Sequence, residues 1–411
     1  MGEYVGIRIK NHVYLQWKNS FGDLLSIFSK EDLHIEPVRI GDETYIKRYY
    51  ATTVLKAKMI LDGLGYTVSA AKEDFERSKS ADLEYCEEEK EYKDIEELFT
   101  FDEWERAVKK FALVLSAREK DLFNEKFESF KKKRQDLFFV EQMVMGTAPL
   151  VFEERYFGLH YEEINLWNIF RVILDAFEDD ETVELDYTDL FEGGWCEEIP
   201  DEKEFEVPKT IILTEGRFDA EAISKSIDLL FPHMKKLYSF INFSAYRVQG
   251  STNFLTHYLK AFIASGIQNR VIAIYDNDSA GSGELLNFLN IPIPDNFRIL
   301  RLPDLNFANH YPTLGPSGKE YMNINRRACS IELFLGRDVL TECGEWIPVQ
   351  WKGFNEQTQT YQGEILEKSL IQDKFRKKAC QSSSGLVDKS SWQDMCHLLH
   401  TIFEVFLDHA S

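Results

Sequence analysis

Alternating apolar and polar positions predict a small mixed unit at the start of the sequence. Tyr4–Ile9 and Val13–Trp17 contain β-branched and aromatic residues that partly alternate with polar ones, which predicts a hairpin. Residues 49–61 have helical spacing, and this helix is expected to end at the glycines of residues 63–65. We therefore expect a small α+β unit over residues 1–70.

Helical spacing dominates the next part of the chain. Residues 72–93 are charged and nearly devoid of strong hydrophobes, so we interpret them as a solvated helix or a linker. Apolar residues recur at intervals of three to four over residues 94–145, which predicts two or three packed helices, and another helix is expected from Glu162 to Phe177. The pattern thus indicates a helical region over residues 71–178, followed by an acidic connector over residues 179–206.

From Lys209 onward, short apolar strands alternate with helices. Helical crossovers join neighbouring parallel strands, so this alternation predicts an α/β domain with a mostly parallel sheet of about four strands and flanking helices. The domain is expected over residues 207–340, with a C-terminal β/helical extension over residues 341–411. The predicted strands are 210–214, 237–243, 270–275 and 297–302, and the predicted helices are 218–230, 253–264 and 281–289.

The composition excludes several classes of protein. Of the 411 residues, 44% are hydrophobic and 14% are aromatic, which is enough to build folded cores. No run approaches the ~18 apolar residues of a membrane span, and the first residues do not begin a signal peptide, so we expect no membrane partner. The six cysteines are scattered without a C-x-x-C pair, which argues against zinc ribbons and a disulfide framework. The cysteine usage fits a reducing cytoplasm best, so we expect a cytoplasmic protein.

The formal net charge of −22 would oppose binding to a polyanion if it were evenly spread. It is not: residues 72–105 hold 15 acidic and 5 basic residues (−10), and residues 175–206 hold 15 acidic and 1 basic residue (−14). The rest of the chain therefore carries +2, because −22 less −24 is +2. Most of the chain can approach nucleic acid.

Acidic side chains follow two of the predicted strands. Glu215 comes directly after the first strand, and Asp219 lies in the first turn of the next helix. Asp276 and Asp278 follow the strand over residues 270–275. Carboxyl ends of parallel strands meet at one edge of a sheet, so these acids are expected to lie together.

Clustered carboxylates of this kind repel one another. Two unit charges ~4 Å apart cost about 4 kcal/mol at an effective dielectric near 20, so the cluster must raise its pKa values, separate or bind a cation. Mg²⁺ prefers oxygen ligands of this kind, and Mn²⁺ is an alternative. Such a site suits the hydrolysis of phosphodiester bonds.

Glu215-Gly216 and Asp276-x-Asp278-x-x-Gly281 together resemble the Toprim domain of primases, topoisomerases and OLD-type nucleases. The resemblance implies a four-stranded, mostly parallel sheet with Mg²⁺ bound by these acids. More narrowly, residues 214–378 are similar to the bacterial HEPN/Toprim-associated proteins, through segments that share their sequence with that family. The resemblance implies a role in anti-phage defence. The matching segments include 266–273, 311–318, 330–336 and 348–353.

Other residues near these motifs are further candidates. Glu332 heads a short apolar helix after the sheet and fits either a metal ligand or a surface cap. Asp219 fits either a metal ligand or a group that stabilises the start of a helix. Arg217, Lys319 and Lys352 are candidate contacts to nucleic acid, although Lys319 also fits an ordinary solvated lysine.

Arg155 and His160 have the R-x(4–6)-H spacing, which resembles the motif of HEPN ribonucleases. Tyr156 departs from the polar residue that this family places after the arginine, and Gly158 weakens a helix. We therefore interpret the helical region as structural or regulatory, with Arg155 and His160 as an alternative ribonuclease site.

Aromatic residues follow the predicted sheet and fit two interpretations. Trp346, Trp351, Phe354 and Tyr361 could stack on bases, or they could be the half-buried aromatics of a small β unit.

Two functions remain open at this point. The first is a Mg²⁺-dependent nuclease that acts on RNA or DNA, with Glu215, Asp276 and Asp278 as catalytic and metal-binding residues and with Asp219 and Glu332 completing the site. The second is a non-catalytic sensor, regulator or scaffold that works with a protein partner encoded nearby. A homo-oligomer is compatible with both.

Overall fold

The structure is a computed structural model, and the chain divides into two compact units, Met1–Val207 with Leu407–Ser411 and Pro208–Phe406. Both α-helices and β-sheets are present, and one of the sheets is parallel. Within the described part of the chain, no helix is both long enough and apolar enough to cross a membrane. The described residues are 2–41, 43–85, 100–116, 165–241, 252–289, 291–356, 358–383 and 389–407.

The first unit is built on a five-stranded antiparallel sheet in the order β2-β1-β5-β4-β3. The predicted hairpin is confirmed, and its alternation places Val5, Ile7 and Ile9 in the core. The strands are β1 (Tyr4–Ile9), β2 (His12–Lys18), β3 (Leu33–Ile40), β4 (Glu43–Thr53) and β5 (Thr182–Asp186).

Strand β5 lies where an acidic connector was expected over residues 179–206. It pairs with both β1 and β4, and it buries Val183 and Leu185 completely. Glu184 and Asp186 alternate with these two residues, as expected for a strand with one buried face. The high density of acidic residues around it hid this alternation in the sequence.

The first helix also begins later than predicted. Residues 49–53 belong to β4, and helix α1 covers Val54–Leu64. The Thr53 side chain accepts a hydrogen bond from the Lys56 N–H at its start, and Gly65 ends it with a φ of +98°. The predicted end of this helix is therefore confirmed, but its predicted beginning is wrong.

Helices of the first unit pack around large apolar residues, including Phe75, Trp104 and Phe170. The charged segment expected to be solvated is helical up to residue 85, but it contributes Phe75 to the core. Arg155 and His160 lie outside the described residues. The helices are α2 (Val68–Tyr85), α3 (Phe101–Ser116), α4 (Leu166–Leu174) and α5 (Thr188–Glu192).

The second unit contains the predicted parallel sheet, in the order β10-β8-β6-β7. All five residues of β8 are buried, as expected for an interior strand of such a sheet. The elements in chain order are β6 (Thr210–Thr214), α6 (Arg217–Leu230), β7 (Tyr238–Phe240), α7 (Thr252–Ser265), β8 (Val271–Tyr275), β9 (Asn277–Asp278), α8 (Ser279–Leu285) and β10 (Phe297–Arg301).

A second sheet follows, in the order β12-β11-β16-β17. It begins within the predicted 207–340 domain and ends within the predicted extension, so residue 340 does not separate two sheets. The remaining elements are β11 (Tyr311–Gly315), β12 (Gly318–Met322), β13 (Ala328–Cys329), β14 (Thr341–Glu342), β15 (Glu345–Trp346), β16 (Val349–Asn355), β17 (Thr360–Ile365), α9 (Lys368–Ser383) and α10 (Gln393–Phe403).

Candidate functional site

The two acidic strand ends meet at one edge of the parallel sheet. Strands β6 and β8 are direct neighbours, with Thr214 beside Ile274. Glu215 and Asp276 each follow their strand closely, and the backbone N–H of Asp276 donates a 2.9 Å hydrogen bond to Glu215 Oε1. The parallel topology therefore joins two residues that lie far apart in the sequence.

Asp219 and Asp278 both lie at the start of a helix. An Asp219 oxygen accepts a 2.8 Å hydrogen bond from the Gly216 N–H, and an Asp278 oxygen accepts a 2.7 Å bond from the Gly281 N–H. Both acids therefore do act as helix-start groups. Each of these bonds uses one carboxylate oxygen and fixes the direction of the side chain.

Glu332 reaches the site through an unusual strand pairing. Strand β13 pairs with β9, which places Cys329 opposite Asn277 and carries the chain into the short 3₁₀ helix Ile331–Phe334. Glu332 is only 3% exposed, so the surface-cap interpretation is wrong. Its two oxygens accept hydrogen bonds from Ser330 Oγ (2.6 Å) and Gln372 Nε2 (3.0 Å).

The middle residue of Asp276-Asn277-Asp278 holds the surrounding loops in place. Asn277 is fully buried, and its side-chain nitrogen donates to Asp304 Oδ1 at 2.8 Å. Its side-chain oxygen accepts a 3.0 Å bond from the Arg326 N–H. No local pattern in the sequence indicates this role, because both partners lie in later loops.

The electrostatics of the site show that these acids crowd one another. Burial and the neighbouring charges of Asp219, Glu215, Asp278 and Glu332 raise the pKa of Asp276 well above its ordinary value. Burial and the Glu332 charge raise the pKa of Asp219 to about 6. Five carboxyl groups from three separate parts of the chain therefore form one cluster, which we call the acidic cluster.

Lys368 is the site residue that sequence reasoning missed. It is the first residue of α9, and its Nζ atom lies 4.0 Å from Glu332 Oε2 and 3.4 Å from Glu364 Oε1. Its positive charge lowers the pKa of Asp219 and of Asp278, against the larger effect of burial. A lysine inside the acidic cluster offsets part of its negative charge, and only the packing of α9 places it there.

The three predicted nucleic-acid contacts are exposed side chains of the second unit. Arg217 is exposed at the start of α6. Lys319 is exposed on β12 and pairs with Glu345 at 2.9 Å, which fits the solvated-lysine interpretation. Lys352 is exposed on β16 and lies 3.7 Å from a carboxylate oxygen of Glu364.

The donor chemistry of the acidic cluster suits a hard divalent cation. All five side chains offer carboxylate oxygens, the ligands that Mg²⁺ prefers, and a cation would offset the repulsion that raises the pKa of Asp276. Among the described residues, however, no three or more His, Cys, Asp or Glu side chains are already arranged around one ion position. The residues fit the cation by chemistry, and side-chain movement would have to complete its ligand set.

Gly281→Ala is expected to lower the free energy of unfolding by about 1–3 kcal/mol, because overpacking forces the backbone to shift. A Cβ atom at position 281 would overlap the backbone carbonyl oxygen of Asp276. Denaturant unfolding of the full chain measures the loss. Gly353→Ala is the matched control, since its Cβ would meet nothing within 4 Å; equal losses in the two variants would contradict the explanation.

Comparison with known proteins gives a match in the N-terminal half of the chain, outside the acidic cluster. Residues 1–210 match the family described as HEPN/Toprim N-terminal domain 1. No curated protein and no solved structure matches. The match confirms that the chain is a HEPN/Toprim-associated protein, but it ends before Glu215, so the Toprim resemblance of residues 214–378 stays a prediction.

Proposed function

The chain belongs to the HEPN/Toprim N-terminal domain 1 family, and from this premise we propose that it is a Mg²⁺-dependent nuclease that hydrolyses phosphodiester bonds of nucleic acid. The observation that carries the proposal is the acidic cluster, in which Glu215 and Asp276 join the ends of two neighbouring parallel strands. Acids at the carboxyl edge of a parallel sheet lie where α/β folds bind ligands.

We assign the parallel sheet and its helices to a Toprim domain. Glu215-Gly216 follows β6, and Asp276-x-Asp278-x-x-Gly281 follows β8, which is the order of acids expected for that domain. The fully parallel pairing of β10, β8, β6 and β7 supports the same assignment. From the resemblance we extend the proposal to a role in bacterial anti-phage defence, and the scattered cysteines support a cytoplasmic location for that role.

Each residue of the acidic cluster has a distinct task in this proposal. Glu215, Asp276 and Asp278 would hold the Mg²⁺ or Mn²⁺, and Asp219 and Glu332 would complete the set. When bound, such a cation activates water and steadies the leaving oxygen. Gly216 and Gly281 keep two of the carboxylates oriented through their N–H groups, and Gln372 orients Glu332.

A cleavage assay with the purified full-length chain tests the proposal. Labelled RNA, single-stranded DNA and duplex DNA are each incubated with Mg²⁺, with Mn²⁺ or with EDTA. We expect cleavage of at least one substrate with the metal and none in EDTA. Cleavage in EDTA, or equal cleavage by a Glu215→Gln variant purified in the same way, would overturn the assignment of the acidic cluster.

The acidic cluster also supports a second candidate, a non-catalytic sensor or regulator. Lys368 already offsets part of the negative charge, and the described side chains are not arranged around one ion. In that case the isolated chain would cleave nothing under any metal condition, while a protein that co-purifies from the native host would supply all of the activity. The same assay, repeated with and without that partner, separates the two candidates.

A further inference from the structure

Three aromatic side chains form a row on the hairpin of β16 and β17. The Tyr361 ring lies 5.3 Å from the Phe354 ring and 6.2 Å from the Trp351 ring. Phe354 is 50% exposed and Tyr361 is 55% exposed. We call these three residues the aromatic row; two of its rings are open to solvent, and the three together form a contiguous patch.

A β-bulge gathers these rings on one side of the hairpin. Trp351 and Phe354 are three positions apart, so in a regular strand they would point to opposite faces. The register with β17 shifts between Trp351 and Gly353, which adds one residue to β16 and reverses the alternation. Lys352 is the residue inside the bulge, and bulges of this kind re-aim side chains next to functional sites.

The same hairpin is attached to the acidic cluster. Asn355 Nδ2, next to Phe354, donates a 3.3 Å hydrogen bond to the carbonyl oxygen of Ser279, which directly follows Asp278. Consecutive Cα atoms are about 3.8 Å apart, so this bond keeps Phe354 and Asp278 within about 20 Å of each other. At the other end of β17, Glu364 lies within reach of Lys368.

The charges around the aromatic row favour contacts to bases over contacts to phosphates. Lys352 is the exposed cation of the bulge, and Glu364 lies 3.7 Å from it and offsets its charge. An exposed pair of this kind contributes little electrostatic attraction. Base stacking on aromatic rings uses the π-face of the base and requires no net positive charge. It does require bases that are free of the stacking neighbours of a duplex, as in a single strand.

We propose that the aromatic row is a stacking surface for single-stranded nucleic acid and leads the strand to the acidic cluster. The inference rests on the proposed function for the identity of the substrate, but binding to the row does not depend on cleavage. The proposed stacking surface specifies unpaired RNA or DNA as the substrate class. Binding should depend only weakly on salt, because few phosphates are neutralised.

Fluorescence anisotropy of the full-length chain in EDTA tests the proposal without cleavage. The probes are labelled oligothymidine, oligouridine and a DNA duplex. We expect both single strands to bind more tightly than the duplex. The ratio of the Kd for oligothymidine to the Kd for oligouridine then measures the preference between DNA and RNA. Tyr361→Ala should weaken binding about 10-fold, the typical loss of one stacked base, whereas Tyr361→Phe should keep it.

Tyr321→Ala is the matched control, since Tyr321 is 53% exposed on β12 of the same sheet. It should bind as the wild type does. Equal weakening by Tyr321→Ala, tighter binding of the duplex, or wild-type binding by Tyr361→Ala would each overturn the proposal, as would no binding by the wild type. Intact stacking without any cleavage would leave this proposal standing and would contradict only the proposed function.

Discussion

Asp276→Asn is expected to reduce Mg²⁺-dependent cleavage by about 10²–10³-fold, the usual loss when one group that stabilises transition-state charge is removed. Asp276 is the most crowded acid of the cluster, since four other carboxylates raise its pKa. Asn keeps the shape of the side chain but has one weaker oxygen donor. Initial cleavage rates at saturating Mg²⁺, on the substrate that the wild type prefers, measure the effect.

Asp228→Asn is the matched control for this loss. Asp228 lies on α6, the helix that begins near Asp219, but it pairs with Lys235 at 3.0 Å away from the acidic cluster. We expect its cleavage rate to stay within about 2-fold of the wild type, because exposed pairs of this kind have small effects. A wild-type rate for Asp276→Asn would remove the acidic cluster from the reaction.

Mg²⁺ is expected to raise the free energy of unfolding of the wild-type chain by about 2.7 kcal/mol at a free concentration about 100 times its Kd. For a unit of this size that is a shift of about 5–10 °C in Tm. Asp276→Asn should show little of this shift. In EDTA the same variant should melt a few degrees above the wild type, because it removes a charge that burial and four carboxylates make unfavourable.

Scanning calorimetry with EDTA, Mg²⁺ and Ca²⁺ checks this prediction, since it separates the transitions of a chain with two units. Glu345→Gln serves as the control, because Glu345 is an exposed acid whose ion-pair partner is Lys319. It should respond to Mg²⁺ as the wild type does. Two results would contradict the prediction: a Mg²⁺-induced rise in Tm that is as large in Asp276→Asn as in the wild type, or a Tm of Asp276→Asn in EDTA that is below that of the wild type. Either would show that the cation does not act by relieving repulsion at Asp276.

The parallel sheet could be predicted from the sequence because its strands are short and mostly apolar, and because helices separate them along the chain. The apolar run Val271–Tyr275 needs no partner to be recognised, since it is buried on both faces. Strand β5 was missed because its pairing partners, β1 and β4, lie far earlier in the chain. The alternation of Val183 and Leu185 is a strand signal, but the high density of acidic residues around it masks that signal.

The acidic cluster could be predicted in part, because the parallel sheet that carries it could be predicted. Glu215 and Asp276 meet because neighbouring parallel strands end at one edge, which is a rule of topology. The burial of Glu332 and the arrival of Lys368 depend on the pairing of β13 with β9 and on the packing of α9. Those contacts are tertiary, and no local pattern in the sequence records them.

Strand β5 has a consequence for how the protein is made on the ribosome. Gly6 pairs with Asp186, so β1 and β4 cannot complete their sheet until nearly the whole first unit has been synthesised. Until then both strands expose unpaired edges, which are prone to aggregation. Expression fragments that end before residue 182 should therefore be insoluble, whereas a fragment that ends near residue 207 includes the closing strand.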